Sequence, residues 1–352
     1  MFFDFRSDTT TKPTPGMYRA MNNAQLGDDV LGDDPTVIAL EEKCADLLGK
    51  ESALFVPSGT MSNLLAVFVH CRPGEEFICE ENSHVYIYEQ AGYAQLNAVS
   101  VRILPGDRGI FDTKTLESAI HEPNIHFPYT KAVFLENTHN RGGGSIWPFE
   151  KLNEICSSAR KYGLTLHLDG ARLMNAVVAT GRPVNQWTQP FDTVSLCFSK
   201  GLGAPIGSVL VGNEYWISMA RRRRKVLGGG MRQVGILAAA ALYALDNHVE
   251  RLAEDHQNAE KLADGIREMG RDKIRLKYDT IDTNMVFFEL ADPACNAGQF
   301  CEQLKERGIL MLPLGPATVR AVTHLDVDAK SVTAAIDAIR DTLKINSYLQ
   351  VE

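Results

Sequence analysis

Residues 164–181, LTLHLDGARLMNAVVATG, and residues 194–201, VSLCFSKG, are two strand-and-turn units in succession. In the first, 164–168 is a short, mostly apolar run preceded by Gly163, which predicts a buried strand. It ends in Asp169, with Gly170 and Arg172 behind it. The second run, 194–198, closes on Ser199, Lys200 and Gly201. Two neighbouring strands would carry Asp169 and Lys200 to one edge of a sheet, the carboxyl edge at which open α/β sheets bind their ligands.

A carboxylate and an amine so placed meet the needs of pyridoxal phosphate (PLP). That cofactor takes a Lys amine for its Schiff base and a carboxylate to keep its pyridine nitrogen protonated. Taken alone, the pair also fits a helix-capping Asp and a Lys on an exposed loop, so the rest of the chain has to decide.

With 352 residues the chain exceeds one typical compact core, which predicts a large domain and a smaller one. It is 45% hydrophobic with mean hydropathy -0.14, the composition of a soluble globular protein. A net charge of -8 and a pI of about 5.7 remove the attraction on which nucleic-acid binding depends. The basic run 221–225 stands against that acidity and suits the C-terminal end of a helix, a phosphate or subunit contact, or a nuclear signal. Seven dispersed cysteines, without a CxxC pair or a His/Cys cluster at ligand spacing, imply a reducing compartment and no bound metal. No apolar run approaches the roughly 20 residues of a membrane span, and Asp4, Arg6 and Asp8 crowd the N-terminus, so a cytoplasmic protein is expected.

The opening stretch DFRSDTTTKPTPGM (4–17) should be an extended arm before a helix near 17–22, and such an arm needs a holder, another subunit being one choice. Asp34 then reads as the N-cap of a helix with Pro35 at its first position, an apolar face of Val37, Leu40, Ala45, Leu47 and Leu48, and a stop at Gly49. A strand at 53–56 leads through Pro57, Ser58, Gly59 and Thr60 into an apolar helix at 61–69. Such an entry offers free N–H groups, hydroxyls and a positive dipole end to a phosphate, although an ordinary N-cap uses the same residues.

Further strands at 76–79, 98–104, 132–136 and 208–211 alternate with helical patterns, which predicts a doubly wound, mainly parallel sheet. After Gly228, Gly229 and Gly230 an Ala-rich helix is expected at about 231–248, followed by an amphipathic one at 250–269. The expected division is a large α/β domain at 1–248, including the arm, and a small C-terminal α+β domain at 249–352. The small domain would hold strands near 274, 285–290, 309–312 and 319–322 and helices at 297–307 and 329–343.

Taken in order, FRSDTTT, GDDPT, FVPSGTMSN, SHVYIYEQAG, NIHF, LENTHN, HLDGAR, SKGLGAPIGSVLVG, GGGMRQVGILAAA, TNMV and VRAVTHLDV resemble the threonine aldolases and span nearly the whole chain. These are PLP enzymes of the aspartate-aminotransferase fold, fold type I. The resemblance implies cleavage of L-threonine or L-allo-threonine to glycine and acetaldehyde. It makes Lys200 the cofactor lysine and Asp169 the partner of the pyridine nitrogen. Ser58, Gly59, Thr60 and Arg232, the last opening its helix, would hold the phosphate, joined by Lys225 from a neighbouring subunit. His84 would stack on the ring. Ser7, Arg172 and Arg320 would bind the substrate carboxylate, with Arg172 also near the ring oxygen. Glu89 and His126 would stand near the β-hydroxyl, whose proton His84, His126 or a water would take, and residues 137–139 would line the same region. From the residues themselves, Glu89 fits a solvated helix face equally well. Many members carry Tyr where this chain has Leu31, which would remove a phenol near the substrate side chain. A homo-oligomer, a dimer of dimers with shared sites, is implied. Other chemistry on the same cofactor, such as β-elimination or hydroxymethyl transfer to a folate, and a non-catalytic PLP-fold subunit are the alternatives.

Overall fold

Both faces of the strand-rich half must be covered, because successive residues of its strands are apolar on both sides. The computed structural model describes residues 2–348. Its main sheet comprises β1 (Ser52–Val56), β2 (Glu76–Glu80), β3 (Ser100–Leu104), β4 (Thr130–Glu136), β5 (Thr165–Asp169), β6 (Thr193–Cys197) and β7 (Ser208–Gly212). The seven strands lie in the order β1-β7-β6-β5-β4-β2-β3. β7 runs antiparallel to both β1 and β6, and the other neighbours are parallel. Alternate residues feed two cores on opposite faces: Phe55, Val133, Leu135 and Leu168 enter one, and Leu54, Val56, Ala132 and Phe134 the other.

The helices are placed by identifiable caps. Asp34 caps α1 (Pro35–Leu47) by accepting the N–H groups of Thr36 and Val37, as the Asp-Pro signal predicts. Gly59 opens α2 (Gly59–His70), and α3 (Glu214–Val226) carries the basic run in its last turns. There the macrodipole favours cations, and two of the charges already have partners within the chain. Arg224, buried, pairs with Asp29 at 2.6 Å and donates to the Phe55 carbonyl, while Arg221 pairs with Glu41.

The Ala-rich helix α4 (Gly235–Asn247) starts later than its composition predicts. Asp34 explains the delay: its Oδ1 caps α1, while its Oδ2 accepts the Gly235 N–H at 3.0 Å. A Cβ at 235 would collide with that carboxylate, so the helix begins at the glycine. Arg232 therefore does not open a helix; it lies exposed in the preceding turn, paired with Asp28 at 2.8 Å. α5 (Leu252–Arg267) follows.

A second core gathers Leu262, Phe288, Phe300, Val319 and Ile339 around an antiparallel sheet. Its strands β8 (Ile274–Leu276), β9 (Met285–Leu290), β10 (Leu312–Pro313) and β11 (Thr318–Val322) lie in the order β10-β11-β9-β8. The expected strand at 309–312 is divided between two partners, because Ile309–Leu310 pairs in parallel with Phe3–Asp4. The holder of the N-terminal arm is thus its own chain. Phe5 is buried in this second core, the Val322 N–H donates to the Phe5 carbonyl at 2.8 Å, and the Lys12 N–H donates to Asp326. Among the described residues no helix is long and apolar enough to cross a membrane.

Candidate active site

Asp169 is the last residue of β5, in register with Ser195 of β6, and Lys200 follows three residues beyond the end of β6. The parallel pairing brings both to the carboxyl edge of the sheet. Asp169 is buried and accepts the Asn63 side-chain N–H at 2.7 Å and the Ala171 N–H at 3.1 Å. Burial alone would raise its pKa; the charges of His84 and Lys200 and the Asn63 hydrogen bond outweigh that and hold it below the ordinary value. The carboxylate is therefore ionised at neutral pH.

Asn63 extends this point into a network. Its Nδ2 donates to Asp169 and, at 2.8 Å, to Glu89 Oε1, and Glu89 Oε1 also meets His84 Nδ1 at 2.8 Å. Glu89 is buried, so it does not belong to a solvated helix face. Burial raises the Glu89 pKa against the opposing His84 hydrogen bond. For His84, burial disfavours the imidazolium, but the Glu89 hydrogen bond and the charges of Asp169, Glu89 and Glu136 prevail and raise its pKa above 6.5. Ligand atoms of His84, Glu89 and Asp169 lie within 4.8 Å of one another, a spacing open to a metal ion. The donor set argues against one, because the Asn63 amide directs its hydrogens at both carboxylates.

At the phosphate end, Ser58 Oγ accepts the Met61 N–H at 3.2 Å, so Ser58 is an N-cap, and with Thr60 it remains exposed. A Cβ on Gly59 would meet Cys197 Sγ at 2.7 Å; glycine lets the start of α2 sit directly against the end of β6. Lys225 is exposed, and its side chain and Val30 both lie against Gly230. Leu31, next to Val30, is 74% exposed.

The two arginines differ in what holds them. Arg172 makes a bidentate pair with Asp8, Nε to Oδ2 and Nη2 to Oδ1, both at 2.7 Å and buried. Ser7 caps the turn at Asp8 by accepting the Thr9 N–H. Arg320, on β11, donates from Nη1 to Asn140 Oδ1 at 3.2 Å and from Nη2 to the Arg6 carbonyl at 2.9 Å, while its Nε has no partner. No carboxylate forms an ion pair with it among the described residues. Burial and then the charge of Arg172 lower its pKa to about 10. A buried cation in that condition marks a place for an anion.

His126 stands outside this cluster, exposed on the loop before β4, with its N–H donating to Asn124 Oδ1. Residues 137–139 are buried, and Asn137 Nδ2 and Thr138 Oγ1 lack partners. Sequence reasoning missed Asp8, Asn63 and Asn140. Asn63 had a signal, a lone amide in an otherwise apolar helix; the other two are defined by contacts from distant parts of the chain.

A buried ionised carboxylate, a strand-end lysine, a capped glycine turn and an unpaired guanidinium fit the parts of PLP bound with an amino acid. The model of a family described as beta-eliminating lyase matches residues 4–292. The low specificity L-threonine aldolase of Escherichia coli K12 is 46% identical over 332 residues, covering 94% of this chain and 96% of that one. In fold, the solved threonine aldolase of Leishmania major agrees with a TM-score of 0.83 at 23% identity, over 97% of this chain and 99% of that one. An SPT structure holding PLP agrees with a TM-score of 0.77 at 22% identity, over 98% and 88%.

Proposed function

The chain belongs to the beta-eliminating lyase family and, within it, to the threonine aldolases; from that premise we propose that it cleaves L-threonine and L-allo-threonine to glycine and acetaldehyde at the edge of β5 and β6. PLP, when bound, supplies the electron-withdrawing ring that accepts the electron pair of the breaking Cα–Cβ bond. Lys200 would hold the cofactor and move the proton at Cα. Asp169, ionised though buried, would keep the ring nitrogen protonated. Ser58, Gly59 and Thr60 would hold the phosphate at the start of α2. Arg320 would bind the substrate carboxylate through its forked donors, with Arg172 and Ser7 beside it. The observation that carries this reading is Arg320, a buried guanidinium without a carboxylate partner that donates to Asn140 and to the Arg6 carbonyl. Incubation with each threonine diastereomer tests it: both should release acetaldehyde and glycine in equal amounts, and release of aldehyde from neither would overturn it.

His84 is the group we assign to take the β-hydroxyl proton, with Glu89 as its support, in preference to the exposed His126. An imidazole accepts a proton only in its neutral form, so activity should be lost as pH falls through the His84 pKa. Because that pKa is raised, the acid limb of kcat/KM should lie above 6.5. Glu89→Gln removes the charge that helps raise it, and the limb should move to lower pH. A pH profile that leaves the limb in place would exclude this pair.

We also propose a homo-oligomer, a dimer of dimers, in which Lys225 and Arg232 reach the phosphate of a neighbouring site and Leu31 meets the neighbour's substrate. Their exposure on one surface supports it. A mixture of Lys225→Ala and Lys200→Ala chains should then recover activity that neither has by itself, because one site in the mixed pair regains both lysines. Light scattering that shows a fully active monomer would rule this out. All seven cysteines are unpaired, which fits the cytoplasm.

A further inference from the structure

We propose that Glu136 is a positioning residue whose one carboxylate sets both His84 and Arg320, an inference that rests on the roles given to those two residues above. Glu136 ends β4 in register with Asp169, so it sits beside the site without belonging to the cluster around Asp169. It is buried, and its two oxygens face different ways. Oε2 accepts the backbone N–H of His84 at 2.7 Å; Oε1 accepts the backbone N–H of Asn140 at 2.8 Å. Asn140 in turn accepts Arg320 Nη1 at 3.2 Å. The histidine proposed to take the β-hydroxyl proton and the arginine proposed to bind the carboxylate are thereby referred to one rigid strand end.

The surroundings hold the strand end in place. Trp147 Nε1 donates to the Glu136 carbonyl at 3.2 Å. His139 Nδ1 accepts the Gly142 N–H at 3.0 Å, so the ring proton lies on Nε2, which faces Glu80 Oε2 at 3.2 Å and Glu136 Oε2 at 3.8 Å. An amide cannot replace this carboxylate, because two backbone donors need two acceptor oxygens, and glutamine would present an N–H to one of them.

Glu136→Gln tests the clamp in two ways. In the cofactor-free chain, amide hydrogen exchange should quicken at His84, Asn140 or both. In the PLP-loaded enzyme, kcat/KM per bound cofactor should fall by about 100-fold, the loss a misplacement of about 1 Å brings, divided between a higher KM and a lower kcat. Asn140→Ala should reproduce only the KM part, since it releases Arg320 and leaves His84 held. Exchange unchanged at both amides, or kinetic constants per loaded site within twofold of the parent, would overturn the proposal. If Glu136→Gln does not fold, Glu136→Asp takes its place, being too short to reach both amides, and is read by the same criteria. A parent enzyme that fails to cleave threonine would refute the functional reading, whereas the exchange measurement reports on the clamp regardless of activity.

Discussion

Lys200→Ala is expected to fold, to hold PLP without a covalent bond, and to lose turnover by at least about a thousandfold, within the range that a positioned proton-transfer group contributes. Lys200 sits on a tight turn closed by the Gly203 N–H to its own carbonyl at 2.7 Å. It forms no salt bridge among the described residues, so truncation breaks no ion pair. What disappears is an amine whose charge acts on both Asp169 and Asp8. Borohydride reduction followed by peptide mass analysis checks the assignment directly. The parent should carry the cofactor on the peptide containing Lys200, and the variant should carry none. Retention of the parent rate by Lys200→Ala would remove the site.

Arg320→Leu should raise the KM for threonine by about 30-fold or more, in line with the roughly 2–5 kcal/mol lost when one partner of a buried charge pair is truncated. The thermal unfolding midpoint should not fall with it. Without substrate the guanidinium has no carboxylate partner, so its removal breaks no ion pair and forgoes only the hydrogen bonds to Asn140 Oδ1 and the Arg6 carbonyl. Arg172→Leu makes the contrast. It would leave Asp8, fully buried, without its bidentate partner, at a cost of about 3–5 kcal/mol in stability. The pH dependence of the two should also separate. Burial opposes ionisation of Asp8, but Arg172 holds its folded pKa below the ordinary 3.8, so the pair's contribution is present above that value and lost as pH falls below it. A midpoint lowered as much by Arg320→Leu as by Arg172→Leu would make Arg320 structural.

The strand ends were legible because a buried strand that stops at a charged residue is a local pattern. Asp169 and Lys200 needed only apolar runs to be located, and the Asp34–Pro35 start of α1 needed only its cap. The onset of α4 was not legible, because Asp34, two hundred residues upstream, accepts the Gly235 N–H (a separation of 201 residues). The arm's holder was hidden for the same reason: Phe3–Asp4 pairs with a strand from the far end of the chain. Leu31 was placed near substrate by family resemblance, and in the single chain it is 74% exposed. Glu136 was read as the end of a strand; its carboxylate acquires a role only when β4, the His84 turn and the Asn140 turn are assembled.

Threonine aldolase chemistry breaks a Cα–Cβ bond, whereas β-elimination expels a β-substituent. The direct measurement is the product balance when the PLP-loaded enzyme acts on L-threonine with no folate present. Equal amounts of glycine and acetaldehyde, with no ammonia, are the expected result; ammonia and 2-oxobutanoate in place of the aldehyde would contradict it.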